Sequence, residues 1–197
     1  MSVRKPASPV PKIAALLERL ARLGRAGRFR RGLNPVQGDA LNYLAVANRY
    51  SRNPSALADF LGSTRGTVSQ TLITLERKGL IARRTDPRDR RAITLELTRE
   101  GWALLESGDE TAVERAARGI SGANQAILAG LLDELLAEAQ RQNAFRTFGM
   151  CGTCIHFQRD GSGKVAGGPH RCGLTSEALS DSDSLLICRE HTTPKAA

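Results

Sequence analysis

The chain has 197 residues with 29 Lys and Arg against 20 Asp and Glu, a length that accommodates one ordinary domain plus an appendage. Aromatic residues make up only 4% of it, so an aliphatic, helical core with little strand is expected. Apolar stretches such as AILAGLL are too short to cross a bilayer, and MSVRKPASPVPK lacks the apolar segment of a secretory signal, so membrane insertion and secretion are not expected and a reducing cytoplasm is.

In chain order, a Pro-punctuated start, expected to be disordered over residues 1–11, leads into IAALLERLARLGRAGRF. There Ile13, Leu16, Leu17, Leu20 and Leu23 form one helical stripe. Asn34 and Pro35 suit the N-cap and first position of a second helix whose Leu41, Leu44 and Ala45 face inward. SALADFLG predicts a short third helix stopped by Gly62. A fourth runs from a Ser63 or Thr64 cap to Gly79, with Val68, Leu72 and Leu75 buried. The third and fourth helices meet at a tight turn, the helix-turn-helix pattern.

LIARRTD and AITLELT then alternate with period two around the charged turn DPRDRR and predict a β-hairpin. REGWALLESGDETAVERAARGI predicts one further helix, and NQAILAGLLDELLAEAQRQNAF another, with a leucine stripe at positions 128, 131, 132, 135 and 136 that calls for a partner. Trp102 and Phe60 are expected in the core. Composition changes at Gly149, beyond which lie all four cysteines and all three histidines. Residues 12–148 are therefore read as one domain and 149–197 as a cysteine-rich module. The fold expected is mainly α with a small β-hairpin wing.

Charge is divided unevenly: residues 1–99 hold 20 Lys and Arg against 7 Asp and Glu, and the remainder 9 against 13. Such a field draws polyanions, nucleic acid foremost, though an anionic membrane or acidic protein would feel the same attraction. In a winged helix the second helix of the helix-turn-helix enters the major groove and the hairpin reaches nearby backbone or minor groove. The candidate DNA-contacting residues are Ser63, Thr64, Arg65, Thr67, Ser69, Gln70 and Thr71 on that helix, which offer short hydrogen-bonding groups and one guanidinium. Arg88, Arg90 and Arg91 join them at the wing tip, oriented by Asp86 and Asp89.

SALADFLGSTRGTVSQTLITLERKGLIARRTDPRDRRAITLELTREG resembles the winged-helix core of the MarR (multiple antibiotic resistance regulator) family, more loosely from about Lys12 to about Phe145. The resemblance implies a homodimer held by its first and last helices, two recognition helices on a palindromic operator in double-stranded DNA, and repression relieved by a signal. It matches the family's wing arginine to Arg90, with Arg91 and Asp89 in supporting positions. The family pattern does not include the cysteine-rich tail, and no residue identifies a small-molecule effector.

That tail reads C-x2-C, 17 residues, C, 15 residues, C-x2-H. Two thiolates separated by two residues can face one metal, and the second arm supplies the other ligands. Cys151, Cys154, Cys172 and Cys188 are the candidate ligands of one metal centre per chain, with His170 and His191 as substitutes and zinc placed ahead of an iron–sulfur cluster. Reversible thiol–disulfide sensing without metal competes with this reading. A thioredoxin-like CGTC does not, because that motif follows a strand and opens a helix. The centre is expected to sense or to stabilise; as a sensor it would follow the last long helix and alter the spacing of the recognition helices. No nucleophile elbow, phosphate loop, HExxH helix or catalytic carboxylate pair occurs, so no catalytic residues and no enzyme are expected; a protein-interaction adaptor is the other competing function.

Overall fold

The structure, a computed structural model, describes residues 8–26, 32–85, 93–107, 110–142, 146–163 and 167–193. Helix α1 (Val10–Ala26) precedes α2 (Pro35–Val46), α3 (Pro54–Leu61) and α4 (Arg65–Arg77). Asn34 caps α2 in a reciprocal box: its side chain accepts from Gln37 N while Gln37 Oε1 accepts from Asn34 N. Asn53 caps α3 by accepting from Ala56 N, and Pro54 takes the first turn. The turn from α3 to α4 needs Gly62 at φ 58°, a left-handed backbone that side chains with a Cβ resist. Thr64 is the cap of α4.

Strands β1 (Ile81–Thr85) and β2 (Ile93–Leu97) pair antiparallel, Ile81 opposite Leu97 and Thr85 opposite Ile93. Leu41, Leu44, Leu57, Val68, Leu72, Leu75 and Leu95 are fully buried where α2, α3 and α4 meet the hairpin. Each such side chain contributes roughly 1.5–3 kcal/mol by leaving water.

The single helix expected over 99–120 is instead two, α5 (Arg99–Glu106) and α6 (Ala112–Arg118). Thr111 supplies a strong cap between them: its side chain accepts from Glu114 N and Glu114 bonds back to Thr111 N, restarting the helix. Trp102 and Phe60 are not core residues; they lie 40% exposed on α5 and 42% exposed on α3. Helix α7 (Gly122–Gln142) follows, its Leu128, Leu131, Leu132, Leu135 and Leu136 between 41% and 58% exposed. No helix among the described residues is long and apolar enough to cross a membrane.

Beyond α7 the chain forms β3 (Gly149–Met150), a 3-10 turn at Cys151–Thr153, β4 (Phe157–Gln158), β5 (His170–Cys172), β6 (Ala178–Leu179), α8 (Asp181–Ser184) and β7 (Ile187–Cys188). Two small antiparallel sheets result, β3 with β7 and β4-β5-β6. They are seated against the loop between α2 and α3: Asn48 N donates to Ile187 O at 2.8 Å, and Ala47 bridges Ile187. Phe148 packs edge-on against Tyr43 and Phe60.

Candidate functional site

The start of α4 presents an exposed polar row. Thr64, Arg65, Thr67, Ser69 and Gln70 are open to solvent, while Ser63 is half-buried ahead of the cap. The Thr64 hydroxyl shares a 2.9 Å hydrogen bond with that of Thr67, fixing two short polar groups at the helix tip. Thr71 does not belong to this row. Helical periodicity carries it to the inner side beside Leu72, where it is buried and its hydroxyl donates to Thr67 O at 3.0 Å. Arg83 of β1 pairs with Glu76 at 3.2 Å, tying the hairpin to α4. The wing-tip residues Asp86, Arg88, Asp89, Arg90 and Arg91 lie outside the described residues.

In the tail, Cys151, Cys154, Cys172 and Cys188 line a single pocket, open on one side. The 3-10 turn brings the first two together, β5 delivers the third and β7 the fourth. Part of the wall comes from the other end of the chain, because Asn48 and Tyr50 of the α2–α3 loop also line the pocket. Asn48 Nδ2 donates to Cys151 Sγ at 3.2 Å, and Thr192 N donates to Cys154 Sγ at 3.4 Å. Cys188 is held down to about 6, chiefly by a hydrogen bond from Cys151, with burial opposing and Asn48, Glu190 N and Ser51 assisting. The same contact and burial push the Cys151 thiol upward. All four cysteines are free of disulfides.

The two histidines named as substitute ligands are used otherwise. His170 is buried; its Nδ1 accepts from Asp160 N and its Nε2 meets Asp181 Oδ1, each at 3.1 Å, so it braces β5 against α8. His191 lies over Gly149, where any Cβ would run into its ring, and contacts Thr153 Oγ1 through Nε2 at 3.0 Å. Burial lowers its pKa. Neither lines the pocket, whereas His156 does. Among the described residues no three Cys, His, Asp or Glu side chains converge closely enough to share one metal ion.

Residues 31–92 match the family model described as MarR family. Over those residues the chain is similar to the MarR family. Two curated relatives are similar to part of the chain. The HTH-type transcriptional repressor YetL of Bacillus subtilis is 37% identical over 76 residues, 39% of this chain and 46% of that protein. The transcriptional repressor MprA of Escherichia coli is 36% identical over 74 residues, 38% of this chain and 42% of that protein. The chain thus matches less than half the length of either relative. Among solved structures, the Staphylococcus aureus MepR–DNA complex superposes with a TM-score of 0.52 at 23% identity, covering 67% of this chain and 98% of that one. A MepR mutant gives 0.51 at 22%, covering 68% and 100%. At that identity the likeness concerns the fold alone. The match to the MarR model ends at residue 92, ahead of the first cysteine.

Sequence reasoning missed Asn48, Ser51, Tyr50 and His156 as neighbours of the sulfurs. Only His156, two residues beyond Cys154 in CGTCIH, carried a local signal.

Proposed function

We propose that this chain is a cytoplasmic DNA-binding transcriptional repressor, not an enzyme, that acts as a homodimer on a palindromic operator. The observation that carries this is the exposed polar row of Thr64, Arg65, Thr67, Ser69 and Gln70 at the tip of α4 in a MarR-family winged helix. The basic surplus of residues 1–99 supports it by supplying the phosphate-directed field. So do the repressor names of YetL and MprA and the MepR complex with DNA. Ser63 and the wing arginines Arg88, Arg90 and Arg91 complete the contact set, and Thr71 leaves it. The uncovered leucine faces of α1 and α7 support dimerisation, each protomer burying the other's stripe.

Residues 12–148 form the DNA-binding and dimerisation domain in this reading. Residues 149–197 carry one metal centre per chain on Cys151, Cys154, Cys172 and Cys188, zinc or an iron–sulfur cluster, as sensor or brace. The pocket's packing on the α2–α3 loop supports a route to the helix-turn-helix through that loop rather than through α7. A thiol switch without metal is the second reading, favoured by the hydrogen-bonded pair Cys151 and Cys188. A gel-shift titration with DNA upstream of the chain's own gene tests the main reading. Saturable binding that outlasts excess unrelated duplex is expected; equal affinity for unrelated DNA, or none for either, contradicts it.

A further inference from the structure

We propose that the four-cysteine pocket holds an iron–sulfur cluster rather than a zinc ion, and that the α2–α3 loop, through Asn48, forms part of the cluster's wall and is ordered by it. The first half deepens the metal-centre reading above; neither half depends on DNA binding.

Four thiolates on one zinc, each bonded at about 2.3 Å, crowd to within about 4 Å of one another. Such a group is not present among the described residues, although all four sulfurs face one void. A cluster inverts this geometry, because its thiolates surround a body of several iron and sulfide atoms and so ring a space. A pocket ringed by cysteines from the 3-10 turn, β5 and β7 has that form.

The surroundings agree. Amide donors reach the sulfurs from Asn48 Nδ2 and Thr192 N, and hydrogen bonds of this kind tune the potential of a cluster by stabilising negative charge on its ligands. Phe157 and Leu179 close the walls with apolar surface, which limits access of water. Assembly releases the thiol protons and forms four Fe–S(Cys) bonds, with inorganic sulfide and iron supplied at the cluster's own oxidation level (two ferric ions for a two-iron core, two ferric and two ferrous for a four-iron core) as co-reactants, so that no net electron transfer is needed.

Asn48 makes the connection outward. While its side chain donates to Cys151, its Oδ1 accepts from Ser51 N at 3.0 Å and its backbone N–H donates to Ile187 O. Ser51 Oγ in turn accepts from Arg189 N at 2.9 Å, next to Cys188. The loop that leads into α3 is therefore hydrogen-bonded at both ends to residues adjoining the ligands, and filling the pocket fixes the loop.

The test is metal analysis of full-length protein purified without oxygen from iron-replete cells, together with hydrogen exchange of residues 47–53 before and after chelation. The expected protein is brown, with iron and acid-labile sulfide in equal amounts, about two to four of each per chain, and loop amides that exchange at least about tenfold faster once the cluster is removed. Cys154→Ser and Cys172→Ser lose the colour, while Asn48→Ala keeps it with a more negative reduction potential. A colourless protein with one zinc per chain, or a metal-free protein with a Cys151–Cys188 disulfide, overturns the cluster. Unchanged loop exchange overturns the coupling. Failure of the gel shift, by contrast, strikes the repressor reading and leaves both results standing.

Discussion

The side-chain amide of Asn48 donates to the sulfur of Cys151 at 3.2 Å across 103 residues of sequence. One residue belongs to the loop that introduces the helix-turn-helix, the other to the cysteine tail, and both are buried. The same loop is held from the winged-helix side by Tyr43, whose hydroxyl donates to Ser51 O at 2.7 Å. Recognition unit and tail thus share one hydrogen-bonded turn.

Tyr43→Phe removes that buried donor while keeping the ring against Phe60 and Phe148, and leaves the Ser51 carbonyl without it. The expected loss is about 1–3 kcal/mol of stability, read by denaturant titration. A variant as stable as the parent would mean that water replaces the hydroxyl and that the turn does not depend on it.

Gln70 and Thr71 are neighbours in sequence but stand on opposite sides of α4, one exposed and one buried. Gln70→Ala is expected to weaken operator binding by about 1–3 kcal/mol with the fold intact. Thr71→Val, which keeps the shape and drops only the bond to Thr67 O, is expected to leave operator affinity within about twofold, because Thr71 faces the core. Fluorescence anisotropy on one labelled duplex compares them; the reverse order would place the wrong face of α4 on DNA.

The helix-turn-helix and hairpin were legible because their signals are local. Caps at Asn34 and Thr64, the left-handed glycine at 62 and the period-two alternation of β1 and β2 each act within a few residues. Thr71 faces inward because helical phase overrides residue type, and 99–120 divides into two helices because the Thr111–Glu114 box starts the second one. The cysteines could be named as a group from their spacing. Their partners Asn48 and Tyr50 could not, since nothing local marks a loop asparagine as the neighbour of a sulfur far along the chain. His170 was a reasonable donor by type, and the fold uses it as a brace between Asp160 and Asp181.

Gly149→Ala drives a methyl group into the His191 ring, with little room for the ring to move because its Nδ1 side is buried. A cost of about 1–3 kcal/mol is expected, concentrated in the tail. Limited proteolysis is the readout: cleavage after residue 149 should precede cleavage in the winged helix, whereas an unchanged pattern would show that the ring swings aside.

Leu131 and Leu135 of α7 lie one turn apart and are 58% and 41% exposed in the protomer. Replacing both with Asp puts two charges on the face assigned to the dimer and should yield a folded monomer by sedimentation, with operator affinity reduced at least about tenfold through loss of the second recognition helix. A variant that stays dimeric would move the interface elsewhere.

The most direct test of the central claim is a hydroxyl-radical footprint of the native protein on DNA upstream of its own gene. The account predicts two protected stretches related by a two-fold axis and spaced about 10–10.5 base pairs or a multiple apart, lost together when Arg65 and Gln70 are both replaced by Ala. Uniform cleavage across the fragment by a correctly folded protein would contradict it.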